Sequence, residues 1–167
     1  GALWNKLFRS DIALAHRIPD FKVGEDLCYQ QAIYRDCSKI ACTDEVLIHY
    51  RVREASVISN TEEQSIRYFA EELARQYEQA KNPSQKDTIG LLAFIHIGIS
   101  MALRAADNSK INLHAHLKWT SRYFKKYYAW FCRNRWMRLT PLKKQGLKGW
   151  ALWACKLLYR IGCFRLF

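Results

Sequence analysis

The stretch Val23-Gly24-Glu25-Asp26-Leu27 predicts the first turn of a helix within a mixed α/β region. Acidic residues in a first turn are stabilised by the helix dipole and by backbone N–H groups that have no partner inside the helix. The helix is predicted over residues 25–35, and its inward face is predicted to carry Leu27, Tyr34 and either Ile33 or Gln30. The two carboxylates therefore have a structural explanation, and a chemical role depends on the segments around them.

Short apolar runs separated by turn residues flank this helix, which is typical of an α/β region. Residues 4–8, 38–42 and 46–52 are each predicted to form a strand. The last of the three is rich in Val, Ile and Tyr, which favour strands. Residues 10–15 are predicted to form a short helical turn. Residues 1–59 are therefore expected to form one α/β part of the chain.

From residue 60 onward the apolar residues recur at helical spacing. Residues 60–107 are predicted to form a pair of helices, with Asn82-Pro83-Ser84 ending the first and opening the second. Residues 108–167 are predicted to be a basic, aromatic helical tail, with one helix from about Leu113 to Met137 and another after Pro141. The apolar side of this last helix is predicted to carry Leu147, Trp150, Ala154, Leu157, Leu158 and Ile161.

Three motifs follow one another in the first part of the chain: WNKLFR at residues 4–9, the Glu25-Asp26 pair, and VLIHYRVREASV at residues 46–57. In order and spacing they resemble the last third of the catalytic domain of a bacterial family 2, GT-A type glycosyltransferase. The resemblance covers residues 3 to about 60. It implies the C-terminal portion of an α/β GT-A nucleotide-diphospho-sugar transferase domain, followed by a mostly α-helical extension.

The activity implied by this resemblance is a hexosyltransferase-like, inverting transfer of a sugar from a nucleotide-diphosphate donor to an acceptor hydroxyl, in cell-surface polysaccharide synthesis. The acceptor would be a saccharide or a lipid-linked saccharide. Asp26 would be the general base, because a side chain on a first helical turn that faces a cleft can reach the acceptor hydroxyl. Glu25 would hold the helix start or an acceptor hydroxyl.

Other residues of the motifs would contact the substrates. Arg51 and Arg53 alternate near a strand end, and planar guanidinium groups suit a diphosphate that gains charge as it leaves. Surface ion pairs would explain the two arginines equally well. Ser56 would contact substrate from the following loop. Trp4 and Lys6 would line the donor or acceptor cleft, although Trp4 also fits a core position.

The N-terminal half of such an enzyme, with its nucleotide-binding region and Asp-x-Asp metal motif, has no counterpart in these 167 residues. Thr43-Asp44-Glu45 follows the Glu25-Asp26 helix and is not that motif. The Mg²⁺ or Mn²⁺ expected in the whole enzyme would lack its principal ligands, so no metal ligand is assigned. The chain is expected to be part of a longer enzyme and inactive alone.

Charge is distributed unevenly along the chain, which carries a net charge of +12. No Asp or Glu follows Asp107, whereas 14 Lys and Arg do. Basic residues interleaved with aromatic ones are typical of a helix lying in a membrane interface, and also of a helical annex with a solvated basic surface. We expect an anionic membrane surface as a partner, no nucleic acid, and a cytoplasmic location at the inner face of the membrane.

A binding module is the alternative to an enzyme. In that interpretation the Glu25-Asp26 helix is only structural, and the chain is a non-catalytic, basic helical module that binds membrane or nucleic acid.

The six cysteines form no CxxC pair or zinc-type spacing, which indicates free thiols in a reducing cytoplasm. Residues 89–103 are apolar and uncharged, which would suit a membrane-spanning helix. About 20 residues are needed to cross a bilayer and this run is shorter, so it is predicted to form a buried core helix.

Overall fold

The structure, a computed structural model, describes residues 3–49, 61–108 and 110–162. Helices make up 68% of it, and no strand occurs in these three ranges. The described part of the chain is therefore all-α. The expectation of an α/β GT-A domain is wrong.

The segments predicted as strands form turns and irregular backbone instead. Residues 38–42 and 46–49 have no sheet partner in the described chain, and residues 50–52 lie outside the described ranges. Ile40, Val46 and Leu47 are 60%, 80% and 70% exposed. Residues that favour strands do so because a neighbouring strand takes up their backbone hydrogen bonds and covers their apolar faces. Without that cover, their β preference does not produce a strand.

The chain divides into two compact units, and the division falls between Glu72 and Leu73. The first unit contains α1 (Ser10–Leu14), α2 (Glu25–Asp36) and the first part of α3 (Glu63–Glu78). The helices predicted over residues 10–15 and 25–35 are confirmed to within a residue at each end. Buried apolar side chains of α2 and α3 form the core of this unit: Leu27, Cys28, Tyr29, Ile33, Ile66, Phe69 and Ala70.

The second unit begins in α3, and the regular elements among its described residues are all helical. Its elements are α4 (Pro83–Ala93), a π-helical segment (Phe94–Ser100), α5 (Met101–Asp107), α6 (Leu113–Tyr128), two 3₁₀ turns (Ala129–Phe131 and Arg135–Met137), α7 (Leu139–Lys143) and α8 (Gly146–Ile161). The break predicted at Asn82-Pro83 is confirmed. The Asn82 side chain accepts a hydrogen bond from the backbone N–H of Gln85, and Pro83 occupies the first turn, where its missing N–H costs nothing.

The π-helical segment has a cause in the sequence. Buried residues of the run Pro83–Asp107 recur every four residues, at Ile89, Ala93, Ile97, Met101 and Ala105. Four residues overshoot one α-helical turn of 3.6, so a four-residue repeat drifts around an α-helix. A π-helical turn holds more than four residues, so along a π-helix the same four-residue repeat drifts in the opposite direction. The mixture of the two keeps the buried residues on one side.

This 25-residue run is also long and apolar enough to cross a membrane, by length and composition alone. Half of its most apolar window is buried inside the protein. Phe94 and Ile97 have no exposed surface at all. This burial agrees with the predicted core helix.

An aromatic cluster forms the centre of the second unit. The ring of Phe94 lies 5.6 Å from that of Phe124 and 5.3 Å from that of Phe131, and the ring of Tyr159 lies 5.3 Å from that of Phe124. The last two pairs meet edge-on, at 76° and 81°, and edge-on aromatic pairs add to the free energy gained from burial. The Tyr159 hydroxyl donates a hydrogen bond to the Gly98 carbonyl, and burial raises the pKa of Tyr159. The cluster thus joins the π-helical segment, α6, the first 3₁₀ turn and α8.

The helix predicted over residues 113–137 ends early, at Tyr128. Ala129 and Phe131 have φ of 43° and 58°, a left-handed backbone that non-glycine residues adopt only when the surroundings compensate for it. The Phe131 ring stacks at 5.3 Å on Tyr128 within the aromatic cluster. The Asn134 side chain then donates to the Asp87 carbonyl at 2.7 Å. These tertiary contacts override the continuous helical pattern of the sequence.

Close packing of α7 on α8 depends on Gly149. A Cβ atom placed there would lie 1.8 Å from the backbone oxygen of Leu142. Alanine normally stabilises a helix interior relative to glycine by about 1 kcal/mol. Here Gly149→Ala is expected to destabilise the second unit by about 2 kcal/mol, because α8 must move away from α7. Urea unfolding followed by circular dichroism measures whether Gly149→Ala lowers the free energy of unfolding, as expected here, or raises it, as in an ordinary helix.

Ala151→Gly is the matched control for that experiment, since Ala151 is exposed on the same helix. The control should cost only the propensity difference of about 1 kcal/mol. A Gly149→Ala protein as stable as the parent would show that the contact between α7 and α8 is loose.

Candidate functional site

The Glu25-Asp26 pair occupies the first turn of α2, directly after Gly24. Gly24 has φ of 79°, a left-handed conformation that suits glycine. A Cβ atom at Gly24 would lie only 2.5 Å from the Phe69 ring. Glycine is therefore required here both by the backbone conformation and by the approach of Phe69. The two acids begin the helix at a position fixed by this contact.

Glu25 and Asp26 are both half-buried. Oδ1 of Asp26 accepts a hydrogen bond from the backbone N–H of Leu27 at 2.7 Å. Within the described ranges, Oδ2 of Asp26 and both oxygens of Glu25 have no hydrogen-bond or ion-pair partner. One oxygen of Asp26 is thus held by the helix start, and the other is available to accept a proton.

Gln30 lies one helical turn after Asp26 and is 3% exposed. Its Nε2 has no hydrogen-bond partner in the part of the chain that the structure describes. A buried amide donor without a partner is costly, so native proteins retain few of them. The spacing predicted either Ile33 or Gln30 on the inward face, and both are buried, but it gave no sign of the unused donor of Gln30. Gln30 is therefore a polar group that sequence reasoning missed near the acidic turn.

Contacts between α1 and α2 hold this helix in place within the first unit. The Tyr29 hydroxyl donates to the Ala13 carbonyl at 2.9 Å, and the Phe8 ring meets the Tyr29 ring edge-on at 6.2 Å. His16 Nε2 lies 3.2 Å from Asp36 Oδ2 at the other end of α2. A helix supported at both ends presents its first turn with little freedom, which a precise proton transfer needs.

Of the remaining predicted site residues, the structure describes two, Trp4 and Lys6. Trp4 is 51% exposed in the turn before α1, and Lys6 donates through Nζ to Oδ1 of its neighbour Asn5 at 2.6 Å. Arg51, Arg53 and Ser56 lie outside the described residues. Glu25 and Asp26 are thus the predicted site residues that the structure brings together on one turn.

The metal expected for the whole enzyme finds no set of ligands in the described chain. No group of three or more His, Cys, Asp or Glu side chains there could hold a metal ion. The donor set of these residues therefore does not fit Mg²⁺ or Mn²⁺. The five cysteines within the described ranges are all free thiols, as the spacing indicated.

The basic tail separates into two different surfaces. On α6, the aromatic and apolar side chains of Leu117, Tyr123, Phe124 and Tyr128 are buried, and the lysines and arginines face solvent. On α8, only Gly149 and Tyr159 are buried. Three aromatic residues of α6, Tyr123, Phe124 and Tyr128, therefore belong to the core of the unit, whereas α8 is exposed or half-buried at every position except Gly149 and Tyr159.

Neither a known protein family, nor a curated protein, nor a solved structure matches this chain. Functional assignment therefore depends on the motifs and on the geometry of the acidic turn.

Proposed function

We propose that this chain belongs to an inverting glycosyltransferase and that Asp26 is the general base toward the acceptor. The observation that carries the proposal is the open Oδ2 of Asp26 on a fixed first turn of α2. The order of the three sequence motifs, with this turn in the middle, supports it. The GT-A fold gives no support, because the described residues form no sheet.

The proposed reaction needs one base and one leaving group. Oδ2 of Asp26 takes the proton of the acceptor hydroxyl as the hydroxyl oxygen bonds to the anomeric carbon of the donor. The bond from that carbon to the diphosphate oxygen breaks, and the nucleotide diphosphate leaves with the electron pair. The configuration at the anomeric carbon is inverted because attack and departure occur on opposite faces.

The other motif residues have supporting roles in this proposal. Glu25 accepts a hydrogen bond from another acceptor hydroxyl, and the arginines Arg51 and Arg53 neutralise the departing diphosphate. Trp4, Lys6 and Ser56 contact the substrates.

Replacement of the base tests the proposal. In the complete reading frame, Asp26→Asn is expected to lower kcat by about 100-fold or more with little change in KM, because the amide cannot accept the proton. Transfer is measured as nucleotide diphosphate released from a nucleotide-sugar donor in the presence of a saccharide acceptor. Normal transfer by Asp26→Asn would remove Asp26 as the base.

Glu25→Gln is the matched control, since it neutralises the adjacent carboxylate on the same turn. Its effect should fall mainly on KM and stay below about tenfold in kcat. The 167-residue chain by itself is expected to show no turnover. Measurable turnover by the chain alone would overturn the expectation that the donor-binding half is needed.

A further inference from the structure

We propose that the outward face of α8 docks onto an anionic lipid surface. The face consists of Leu147, Trp150, Leu157 and Ile161, which are 89%, 44%, 42% and 58% exposed. These residues recur at steps of three, seven and four along the helix and so share one side. Exposed apolar side chains in such a row are costly in water and indicate an interaction surface.

The opposite side of α8 faces the protein. Tyr159 is anchored by its hydrogen bond to the Gly98 carbonyl and by its ring contact with Phe124. Lys156 also turns inward, donating through Nζ to the Met137 carbonyl at 3.0 Å, and burial lowers its pKa. The helix is therefore held along the surface of the second unit with its apolar face directed outward.

Cations border this face. Lys143, Lys144, Lys148 and Arg160 are exposed on α7 and α8 or between them. The Lys143 ammonium lies 5.3 Å from the centre of the Trp150 ring. Apolar and aromatic side chains bordered by lysine and arginine match the two layers of an anionic membrane interface, in which acyl chains lie beneath phosphate groups.

A second copy of this chain and a nucleic acid are the other candidates for binding this face, and each fits it less well than a lipid surface. A second copy of this chain that docked through the same face would bring its own lysines and arginines against these, because no acidic residue follows Asp107. A nucleic acid would pair with the cations but would leave the aliphatic side chains of Leu147, Leu157 and Ile161 without an apolar partner. A lipid surface satisfies both kinds of side chain. This inference is independent of sugar transfer, since it concerns binding alone.

The test is co-sedimentation of the 167-residue chain with phosphatidylcholine vesicles that contain or lack phosphatidylglycerol. We expect binding to the anionic vesicles, weak binding to the neutral ones, and loss of binding as salt is raised. Trp150→Ser with Leu157→Ser should lower the partition coefficient by about tenfold or more, because two side chains no longer enter the acyl layer. Both positions are exposed, so the variant is expected to fold, and its circular dichroism spectrum checks this.

Two controls show whether binding depends on this face of α8 or only on the net positive charge of the chain. Lys143→Gln, Lys144→Gln and Lys148→Gln together should weaken binding, whereas Lys118→Gln, Arg122→Gln and Lys125→Gln on α6 remove the same charge and should weaken it much less. Leu103→Ser removes an exposed apolar side chain from α5 and should leave binding unchanged.

Three results would each overturn the proposal. The first is an equal loss of vesicle binding in the triple variant of Lys143, Lys144 and Lys148 and in the triple variant on α6. The second is binding to single-stranded nucleic acid but not to vesicles at the same salt. The third is a stable dimer in sedimentation velocity that disappears with Trp150→Ser.

Discussion

Phe94→Ala is expected to destabilise the second unit by about 4 kcal/mol, as is typical of a phenylalanine removed from a closed core. Phe94 has no exposed surface, and its ring meets those of Phe124, Phe131 and Tyr159. The left-handed residues that follow α6 cannot shift easily to fill the space, because they are fixed by the same cluster. The cavity should therefore stay largely open.

Urea unfolding followed by tryptophan fluorescence measures the loss, since five of the six tryptophans belong to the second unit. Leu103→Ala is the control, because Leu103 is 64% exposed, and it should change stability by less than about 0.5 kcal/mol. A loss below about 1 kcal/mol for Phe94→Ala would contradict a closed aromatic core.

Gly24→Ala is expected to destabilise the first unit by about 3 kcal/mol. A left-handed backbone costs a non-glycine residue roughly 1 kcal/mol, and forcing a methyl group against a packed ring costs about 2 kcal/mol more. The ring is that of Phe69, which is 1% exposed and has little room to move. Hydrogen exchange of the α2 backbone amides measures the loss within this unit.

Gly146→Ala separates the two costs. Gly146 has φ of 64°, but a Cβ atom there would meet nothing within 4 Å. Its alanine variant should therefore lose only the roughly 1 kcal/mol of backbone strain. Equal losses at Gly24 and Gly146 would mean that Phe69 does not press on the start of α2.

Local patterns predicted the helices well. The acids after Gly24 and the cap at Asn82 are each contained within a few residues of sequence, and each gave a helix in the predicted place. The helix predicted over residues 113–137 begins where expected, at Leu113, but not all of its length is helical. Spacing also predicted Leu27 and either Ile33 or Gln30 on the inward face of α2, and all three are buried, whereas the predicted inward Tyr34 is only half-buried. The acidic turn of the candidate site was found for the same reason.

The wrong predictions concern features that depend on distant contacts. Val46 and Leu47 favour a strand, but a strand also needs a partner that no local pattern supplies. The end of α6 at Tyr128 depends on Phe131 packing against residues far along the chain. Spacing grouped six apolar residues on one side of α8, yet it could not tell that four of them, Leu147, Trp150, Leu157 and Ile161, are exposed while Ala154 and Leu158 are half-buried.

The four-residue repeat between Ile89 and Ala105 makes this region far more sensitive to changes in length than to changes in side chain. One residue deleted from Phe94–Ser100 would turn everything after it by about 100° around the helix axis, the rotation of a single residue. Met101 and Ala105 would then leave the interior, and the exposed Leu103 would be carried toward it. Tolerated insertions and deletions among natural variants of this sequence should therefore avoid residues 94–100 and occur in the loops on either side.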